Sequence, residues 1–310
     1  MSRNRFVAGF VATCIFAIAA PSSPAQTIPG GEARAADAES FPFLRDFFEY
    51  DTGVPLEVHV VARVEEPTYV REKVVFRGPR DRRVPCDLAI PQGGAAPHAC
   101  VLLIHGIGGS RADWWNEDSF HSGATVTKAL LSAGIAVMTI DAVYHGERSA
   151  GNDYESPEVF LFQDGWFYRA RDMIVDSVVE HRRAIDYLVS RPEIDSTRIG
   201  VIGYSMGGMM VVQLAAVEPR IRAAVVCVPP LLKDEHSALT IRNFAPHVRD
   251  IPLLMLIGSD DTRNYTVEDA RALFDLVGSS DKEFVVFESE HRLPGEWTER
   301  ASRWMTDNLP

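Results

Sequence analysis

From residue 99 onwards, short continuous apolar runs alternate with longer segments whose apolar positions recur at helical spacing. The runs at 99–104 (ACVLLI) and 135–140 (IAVMTI) are typical of strands that are buried on both faces. The segments at 124–132 and 169–189 carry apolar residues every three or four positions, which predicts amphipathic helices. This alternation predicts an α/β protein with a doubly wound, mostly parallel sheet and helices on both faces.

The rest of the chain extends this pattern in both directions. We predict further strands at 198–202, 223–228, 252–257 and 283–287, and further helices at 206–216, 267–277 and 295–308. Ahead of residue 99, β-branched runs at 58–64, 69–76 and 83–90 are separated by short turns. They predict leading antiparallel strands at one edge of the sheet. The aromatic-rich stretch at 41–58 is expected to pack on the body of the domain.

The first 25 residues carry a different pattern. Arg3 and Arg5 precede an apolar run of 15 residues, Phe6 to Ala20, and small residues precede Gln26. The run is short for a transmembrane span, and the whole pattern is typical of a secretory signal peptide. An uncut membrane anchor is the alternative. We predict a signal peptide at 1–25, a linker at 26–40, and a secreted or periplasmic protein with no stable membrane anchor after cleavage.

Composition narrows the range of partners. The 310 residues include 43 Asp and Glu against 31 Lys and Arg, a net charge of −12, and loss of residues 1–25 would make it more negative. Because no basic patch stands out, nucleic acid and anionic membrane surfaces are poor partners. The fractions of 46% hydrophobic and 24% charged residues are ordinary for a globular protein. The sequence leaves the oligomeric state open.

Three cysteines remain after the signal segment, so at least one thiol is free. Cys86 and Cys100 fall in strands that we expect to be adjacent, which leaves a disulfide between them open. Cys227 lies in the apolar run VVCV and is expected to be a small core residue. No cysteine or histidine spacing indicates a metal site.

The segment Gly203-Tyr204-Ser205-Met206-Gly207 matches the pattern G-x-S-x-G. It lies between a predicted strand and a predicted helix, which is the context of a nucleophile elbow. We therefore predict that Ser205 is a catalytic nucleophile. The alternative is a glycine-rich turn with a capping serine.

A serine nucleophile needs a base, and the base needs an orienting acid. Asp260 and Asp261 follow the strand at 252–257, and His291 follows the strand at 283–287. The carboxyl ends of these strands face the same crevice as Ser205. We favour Asp261 as the acid, because it lies one residue further beyond the strand, with Asp260 as a turn or cap residue.

The loop after the strand at 99–104 reads His105-Gly106-Ile107-Gly108-Gly109. Its glycines expose backbone N–H groups, and an oxyanion hole needs two such donors. We predict the N–H groups of Ile107 and Met206. His105 is expected to hold the loop by hydrogen bonds and not to act as a base.

The substrate pocket is less well defined by the sequence. Aromatic residues in the crevice-side loops and in a connection at 149–168 suggest Trp114, Tyr144, Tyr204 and Trp166 as substrate-binding residues. The alternative is that these rings close a satellite core. We expect one domain at 41–310, with short cap insertions near 149–168 and 229–247. Such short caps favour a shallow or moderately open site.

These motifs, H-G-I-G-G, G-Y-S-M-G-G, G-S-D-D and S-E-H, resemble those of the α/β-hydrolase fold superfamily, and most of all its dienelactone-hydrolase-related and acyl-esterase branches. The resemblance implies hydrolysis of a small-molecule ester through an acyl-enzyme, without metal or cofactor. Ser205 would attack the carbonyl, His291 would transfer the proton and Asp261 would orient His291.

Dienelactone hydrolases proper resemble a cysteine-nucleophile pattern, so Ser205 favours ordinary ester hydrolysis, with small acyl groups expected. A serine peptidase or amidase that uses the same triad is the alternative. Residues 26–95 are too few for the propeller that many such peptidases carry. A binding protein that has lost catalysis is a third reading, which the intact set of motifs disfavours.

Overall fold

The computed structural model describes residues 35–94, 96–232, 238–262 and 265–310. All of them belong to one compact unit that spans residues 33–310. The predicted signal peptide at 1–25 lies outside the described residues, as does the predicted linker up to residue 34. These segments and the proposed domain limits therefore stay predictions.

Nine strands in the described ranges form a single sheet. They are β1 (His59–Glu65), β2 (Tyr69–Arg77), β3 (Arg83–Pro91), β4 (His98–Ile104), β5 (Ala136–Ile140), β6 (Ile194–Tyr204), β7 (Ile221–Cys227), β8 (Leu253–Gly258) and β9 (Lys282–Phe287). Their order is β1-β2-β3-β5-β4-β6-β7-β8-β9. Along this spatial order, the three pairs β1-β2, β2-β3 and β3-β5 are antiparallel, and the five remaining pairs are parallel. The predicted mostly parallel sheet with an antiparallel edge is confirmed.

The helices also follow the predicted pattern closely. They are α1 (Phe41–Asp46), α2 (Gly123–Ser132), α3 (Phe167–Val189), α4 (Met206–Val217), α5 (Val267–Leu276) and α6 (Glu296–Asn308). In the described part of the chain, none of the helices is both long and apolar enough to cross a membrane. One strand, β6, begins earlier than expected because Ile194 already pairs with His98 ahead of a register irregularity.

The strand order explains why helices cover both faces of the sheet. The chain moves from β4 through α2 to β5 in one direction, and from β6 through α4 to β7 in the other. Because such crossovers are right-handed, α2 and α4 lie on opposite faces. Consistently, α3 packs against α4 and α6 packs against α2. The reversal lies between β4 and β6, whose carboxyl ends therefore open a crevice.

The aromatic stretch ahead of β1 packs on the body in part. Phe48 is buried, with its ring edge-on to Phe244 at 5.4 Å between centroids. Phe41 stacks on His247 at 3.4 Å. Phe43 and Phe47 are exposed.

The expected adjacency of the strands that hold Cys86 and Cys100 is wrong. Strand β5 lies between them, so Cys86 pairs with Ile140 and Cys100 pairs with Ala136. Two strand spacings amount to about 9–10 Å, which is too far for a disulfide. All three cysteines of the described residues are free and buried, and burial raises the pKa of each thiol. Strands β3 and β4 are consecutive in the sequence, but β5 separates them in the sheet.

A buried ion pair ties the loop after β5 to α3. Arg148 Nη2 donates to Glu180 Oε1 at 2.7 Å, and Arg148 Nη1 donates to the backbone carbonyl of Asp141 at 3.0 Å. The side chains of Glu180 and Arg148 are 0% and 9% exposed. An ion pair of this kind holds its partners together chiefly because either charge alone is costly inside the protein.

Replacing Glu180 by Gln should therefore destabilise the fold. We expect Glu180→Gln to lower the free energy of unfolding by about 3 kcal/mol, because the buried Arg148 loses the carboxylate that it binds directly. Urea unfolding measures this change. The control is Glu117→Gln, which breaks the exposed Lys128–Glu117 pair and should leave stability nearly unchanged. Equal effects of the two substitutions would contradict the expectation.

Candidate active site

Ser205 occupies the turn between β6 and α4 in a strained backbone conformation. Its φ and ψ are 56° and −119°, a region that residues with a side chain rarely adopt. The flanking glycines allow this turn because the backbone packs tightly around it. A Cβ on Gly203 would lie 2.2 Å from the Gly207 carbonyl oxygen, and one on Gly207 would lie 2.2 Å from the Ile104 carbonyl oxygen. The G-x-S-x-G pattern is thus a steric requirement.

Two backbone hydrogen bonds fix this turn. The N–H of Ser205 donates to the Cys227 carbonyl at 2.9 Å, and the N–H of Met209 donates to the Ser205 carbonyl at 3.1 Å. Helix α4 begins directly after Ser205, so its N–H groups and the positive end of its dipole face the serine. This geometry favours negative charge next to Ser205.

A hydrogen-bonded series links Ser205, His291 and Asp261. Ser205 Oγ donates to His291 Nε2 at 2.8 Å, and His291 Nδ1 donates to Asp261 Oδ2. Asp261 is 4% exposed. Asp261 follows β8 and His291 follows β9, so the parallel sheet places both residues at the crevice that holds Ser205. This is the arrangement in which a serine, a base and an orienting acid act as one unit.

The neighbouring carboxylate, Asp260, lies elsewhere. Asp260 is exposed, its N–H donates to the Ser289 carbonyl at 2.9 Å, and its carbonyl accepts from the Thr262 N–H at 2.8 Å. It is therefore a turn residue, while the structure brings Asp261 to His291. The two aspartates differ by one position beyond β8, and this difference decides which side chain points toward His291.

The loop after β4 lies directly against Ser205. A Cβ on Gly106 would lie 3.3 Å from Ser205 Cβ. Ile107 and Met206 line the same cavity as Ser205, so the loop and α4 bring the two predicted oxyanion donors to one place. Ile107 precedes Ser205 in the chain, and Met206 follows it directly.

His105 anchors this loop in its neutral form. Its Nε2 accepts from the Ala142 N–H at 3.0 Å, so Nδ1 carries the proton that it donates to the Gly106 carbonyl at 2.8 Å. Burial lowers the pKa of His105, which keeps both bonds in place. Burial also lowers the pKa of His121 and His145 to about 3, so neither is charged near neutral pH.

A buried carboxylate supports the other end of the loop. Asp141 Oδ1 accepts from the Arg111 N–H at 2.8 Å, and Oδ2 accepts from the Glu147 N–H at 3.0 Å. The guanidinium of Arg111 also pairs with Asp141, and its Nε donates to Asp87 at 3.1 Å. The loops after β4 and β5 are thereby held as one rigid unit beside the crevice.

The triad opens into a cavity of about 1060 Å³. Its apolar wall combines residues of α3, α4 and both predicted cap segments: Leu161, Met173, Ile174, Met209, Leu231, Leu232 and Leu239. Glu158, Asp260 and Glu290 supply carboxylates and Arg292 supplies a cation. In the described ranges, no group of three or more His, Cys, Asp or Glu side chains is placed to hold a metal ion.

Three of the four predicted substrate-binding residues do not line this cavity. Trp114 is fully buried, with its ring 4.5 Å from that of His121. The ring of Tyr144 packs edge-on against Phe160 at 6.0 Å, and Trp166 is 43% exposed at the start of α3. The structure does not bring Trp114, Tyr144 and Trp166 into this cavity, because loop position alone does not fix the direction of a side chain. Tyr204 lines the cavity wall, but its hydroxyl is bound elsewhere.

Several cavity residues, among them Phe120 and Glu158, were missed by the sequence analysis. Phe120 is 54% exposed, and its ring lies 6.2 Å from that of His291. The carboxyl carbon of Glu158 lies 3.5 Å from where a Cβ of Gly108 would stand, so this carboxylate borders the oxyanion loop. A single aromatic residue in the polar loop 116–122 was the available signal for Phe120. Met173 and Ile174 were visible only as part of an apolar helix stripe, which also suits a core.

The chain is similar to known hydrolases and esterases. A family model described as the alpha/beta hydrolase fold matches residues 100–250. A Bacillus subtilis (strain 168) protein named as a hydrolase, YtaP, is 28% identical over 195 residues, 60% of this chain and 60% of that protein. A Nocardia uniformis subsp. tsuyamanensis protein named as an esterase, NocK, is 29% identical over 248 residues, 79% of this chain and 58% of that protein. The matches thus span about three fifths of these relatives.

Solved structures share the fold at lower identity. Acetyl xylan esterase 1 from Thermoanaerobacterium sp. JW/SL YS485 superposes with a TM-score of 0.68 at 17% identity, covering 88% of this chain and 94% of that one. Glucuronoyl esterase from Solibacter usitatus gives 0.62 at 12% identity, covering 89% and 95%. At these identities the likeness shows the α/β-hydrolase fold.

The strain at Ser205 predicts an unusual ranking of variants. Glycine adopts a positive φ freely, whereas alanine keeps the Cβ, so Ser205→Gly should be about 1 kcal/mol more stable than Ser205→Ala. Urea unfolding of the two variants measures the difference. At Ser132, which is exposed and helical, the order of the same two substitutions should reverse. If Ser205→Gly is the less stable of its pair, the turn stores no strain.

Proposed function

We propose that this chain, which has the α/β-hydrolase fold, hydrolyses carboxylic esters through an acyl-enzyme on Ser205. The observation that carries the proposal is the series of hydrogen bonds from Ser205 Oγ through His291 to Asp261 at the wall of a cavity. Relatives named as esterases and hydrolases support an ester-hydrolase role.

In the first half-reaction, Ser205 Oγ attacks the carbonyl carbon of the ester while His291 Nε2 takes its proton. The carbonyl oxygen becomes an oxyanion, which the N–H groups of Ile107 and Met206 would stabilise together with the N-terminus of α4. Asp261 holds the imidazole ring and stabilises its protonated form. His291 then returns the proton to the departing alcohol, which leaves an acyl ester on Ser205.

In the second half-reaction, water takes the position of the alcohol. His291 Nε2 accepts a proton from the water as its oxygen attacks the acyl carbon, and the same two N–H groups meet the second oxyanion. Collapse of this intermediate releases the carboxylic acid and returns the proton to Ser205 Oγ. The unmodified triad is then ready for another ester.

The proposed substrates have a small acyl group. The cap segments are short, and acid side chains share the cavity with the apolar wall, whereas a long acyl chain favours a long apolar channel. Export is a separate proposal that derives from the pattern of residues 1–25 alone. An exported esterase of this kind would meet small acyl esters outside the cytoplasm.

A serine peptidase or amidase is the second candidate function. Glu158, Asp260 and Glu290 line the cavity, and none forms an ion pair with a described residue. Unpaired carboxylates beside a serine nucleophile suit a substrate with an amino group. The same triad chemistry would then act on an amide.

Substitutions of the triad test the proposed roles directly. Ser205→Ala should lower turnover of p-nitrophenyl acetate by about 10⁴-fold or more with the fold intact, as removal of a triad nucleophile does. Asp261→Asn should lower kcat by about 10³–10⁴-fold, because the imidazole loses its orienting partner. Asp260→Asn is the matched control and should remain close to the parent. Activity in Ser205→Ala, or greater damage from Asp260→Asn, would refute the assignment.

A chain-length series distinguishes the substrate classes. On p-nitrophenyl esters from acetate to palmitate, we expect kcat/KM to fall steeply beyond short acyl chains, because the cap segments are short and carboxylates share the cavity with its apolar wall. A serine-directed fluorophosphonate should abolish the activity by labelling Ser205. A preference for palmitate would contradict the small-acyl proposal. Labelling of Ser205 without turnover of any ester would favour the peptidase or amidase.

A further inference from the structure

The hydroxyl of Tyr204 joins the nucleophile turn to the loop that carries His291. Tyr204 Oη donates to the backbone carbonyl of His291 at 2.7 Å and accepts from the backbone N–H of Leu293 at 2.9 Å. Tyr204 is 2% exposed and Leu293 is 4% exposed, so water does not compete for these groups. One hydroxyl therefore satisfies two peptide groups on either side of the same short turn.

The ring of Tyr204 is fixed from several sides. It lies 5.0 Å from the ring of His121 in a stacked arrangement and 5.4 Å from Trp297 in an edge-on one. Its centroid is 6.1 Å from that of His291. Because the ring cannot swing away, the position of its hydroxyl is set by the packing of the core.

This contact joins two residues that follow or end non-adjacent strands of the sheet. Tyr204 ends β6, while His291 follows β9, and β7 and β8 lie between those two strands. Tyr204 is also the residue directly before Ser205. A displacement of the His291 loop would thus have to break a hydrogen bond to the neighbour of the nucleophile itself.

We propose that Tyr204 is a positioning residue, whose hydroxyl holds the backbone of His291 at the distance from Ser205 that proton transfer requires. The proposal depends on the proposed function, because it assigns His291 as the base. It replaces the substrate-binding role that the sequence suggested for Tyr204. Asp261 sets the rotation of the imidazole ring, and Tyr204 sets the place of the peptide that carries it.

The chemistry of the hydroxyl suits this role. Burial raises the pKa of Tyr204, so the group stays protonated and keeps its donor for the His291 carbonyl. The hydroxyl has one donor and can accept at the same time, which matches one carbonyl and one N–H. Phenylalanine would fill the same space but would remove the hydroxyl that both peptide groups bind.

The first test is the kinetics of Tyr204→Phe in the full chain. We expect kcat for p-nitrophenyl acetate to fall about 10–100-fold with KM within about twofold, since small misplacements of a catalytic group act mainly on the chemical step. The rate at which a fluorophosphonate labels Ser205 should fall by a similar factor. This labelling rate reports activation of the serine whatever the natural substrate is.

The matched control is Tyr187→Phe. Tyr187 is 3% exposed in α3, and its hydroxyl accepts from Arg191, so its loss also removes a buried hydroxyl. Both variants should lose comparable stability in urea unfolding. Of the two variants, only Tyr204→Phe should lose kcat and labelling rate, because the hydroxyl of Tyr204 binds the backbone of His291 and that of Tyr187 binds Arg191.

A spectroscopic readout separates positioning from general weakening of the fold. The proton on His291 Nδ1, which is hydrogen-bonded to Asp261, should give a low-field proton NMR resonance that disappears in His291→Ala. We expect this resonance to shift or broaden in Tyr204→Phe and to stay unchanged in Tyr187→Phe. Substitution of Tyr204 by p-aminophenylalanine keeps a donor for the His291 carbonyl and should restore part of the labelling rate.

The outcomes distinguish the two proposals. If the parent protein labels at Ser205 and Tyr204→Phe labels equally fast with an unchanged resonance, the positioning role is refuted. A raised KM with unchanged kcat would return Tyr204 to substrate binding. If Tyr204→Phe does not fold, failure of p-aminophenylalanine to support labelling in a folded protein would refute the role. A parent protein without labelling or ester turnover would instead refute the proposed function.

Discussion

The close approach of three backbone segments at Ser205 is the constraint on which the rest of the site depends. A Cβ on Gly207 would collide with the carbonyl of Ile104 at the end of β4, so α4 and the loop after β4 meet without side chains between them. This approach forces Ser205 to a φ of 56° and projects its side chain into the crevice. Every other group of the site has to be placed relative to that one point.

Hydrogen bonds from buried polar side chains hold the loops around Ser205 in place. His105 and Asp141 hold the loop after β4 through bonds to Gly106, Ala142 and Arg111. The loops after β8 and β9 are held differently, by hydroxyl groups of tyrosines. In both cases the anchoring groups are buried, and hydrogen bonds in a dry environment help to determine where the functional groups of the loops lie.

Much of this arrangement follows from local sequence rules, and the remainder depends on spatial order. Apolar periodicity predicts the elements, and the strand-to-helix context of Gly203 to Gly207 predicts the nucleophile turn, because both are local properties. The pairing of Cys86 with Ile140 is not local: it depends on β5 inserting between β3 and β4. The direction of Trp114 likewise depends on packing against His121 and Trp297, so the sequence indicates the loop but not where the ring points.

The base and the acid of the triad are each supported by a neutral donor. Tyr204 Oη binds the backbone of His291, while Tyr265 Oη accepts from the Gly258 N–H at 3.1 Å and is hydrogen-bonded to Asp261. A charged anchor at either place would add its own field to the site, which in the proposed mechanism stabilises a transient positive charge on His291 and a negative charge beside Met206. Neutral hydroxyls hold the backbone of His291 and the carboxylate of Asp261 without adding a net charge to the site. The two hydroxyls that fix the geometry of the triad therefore add no charge to it.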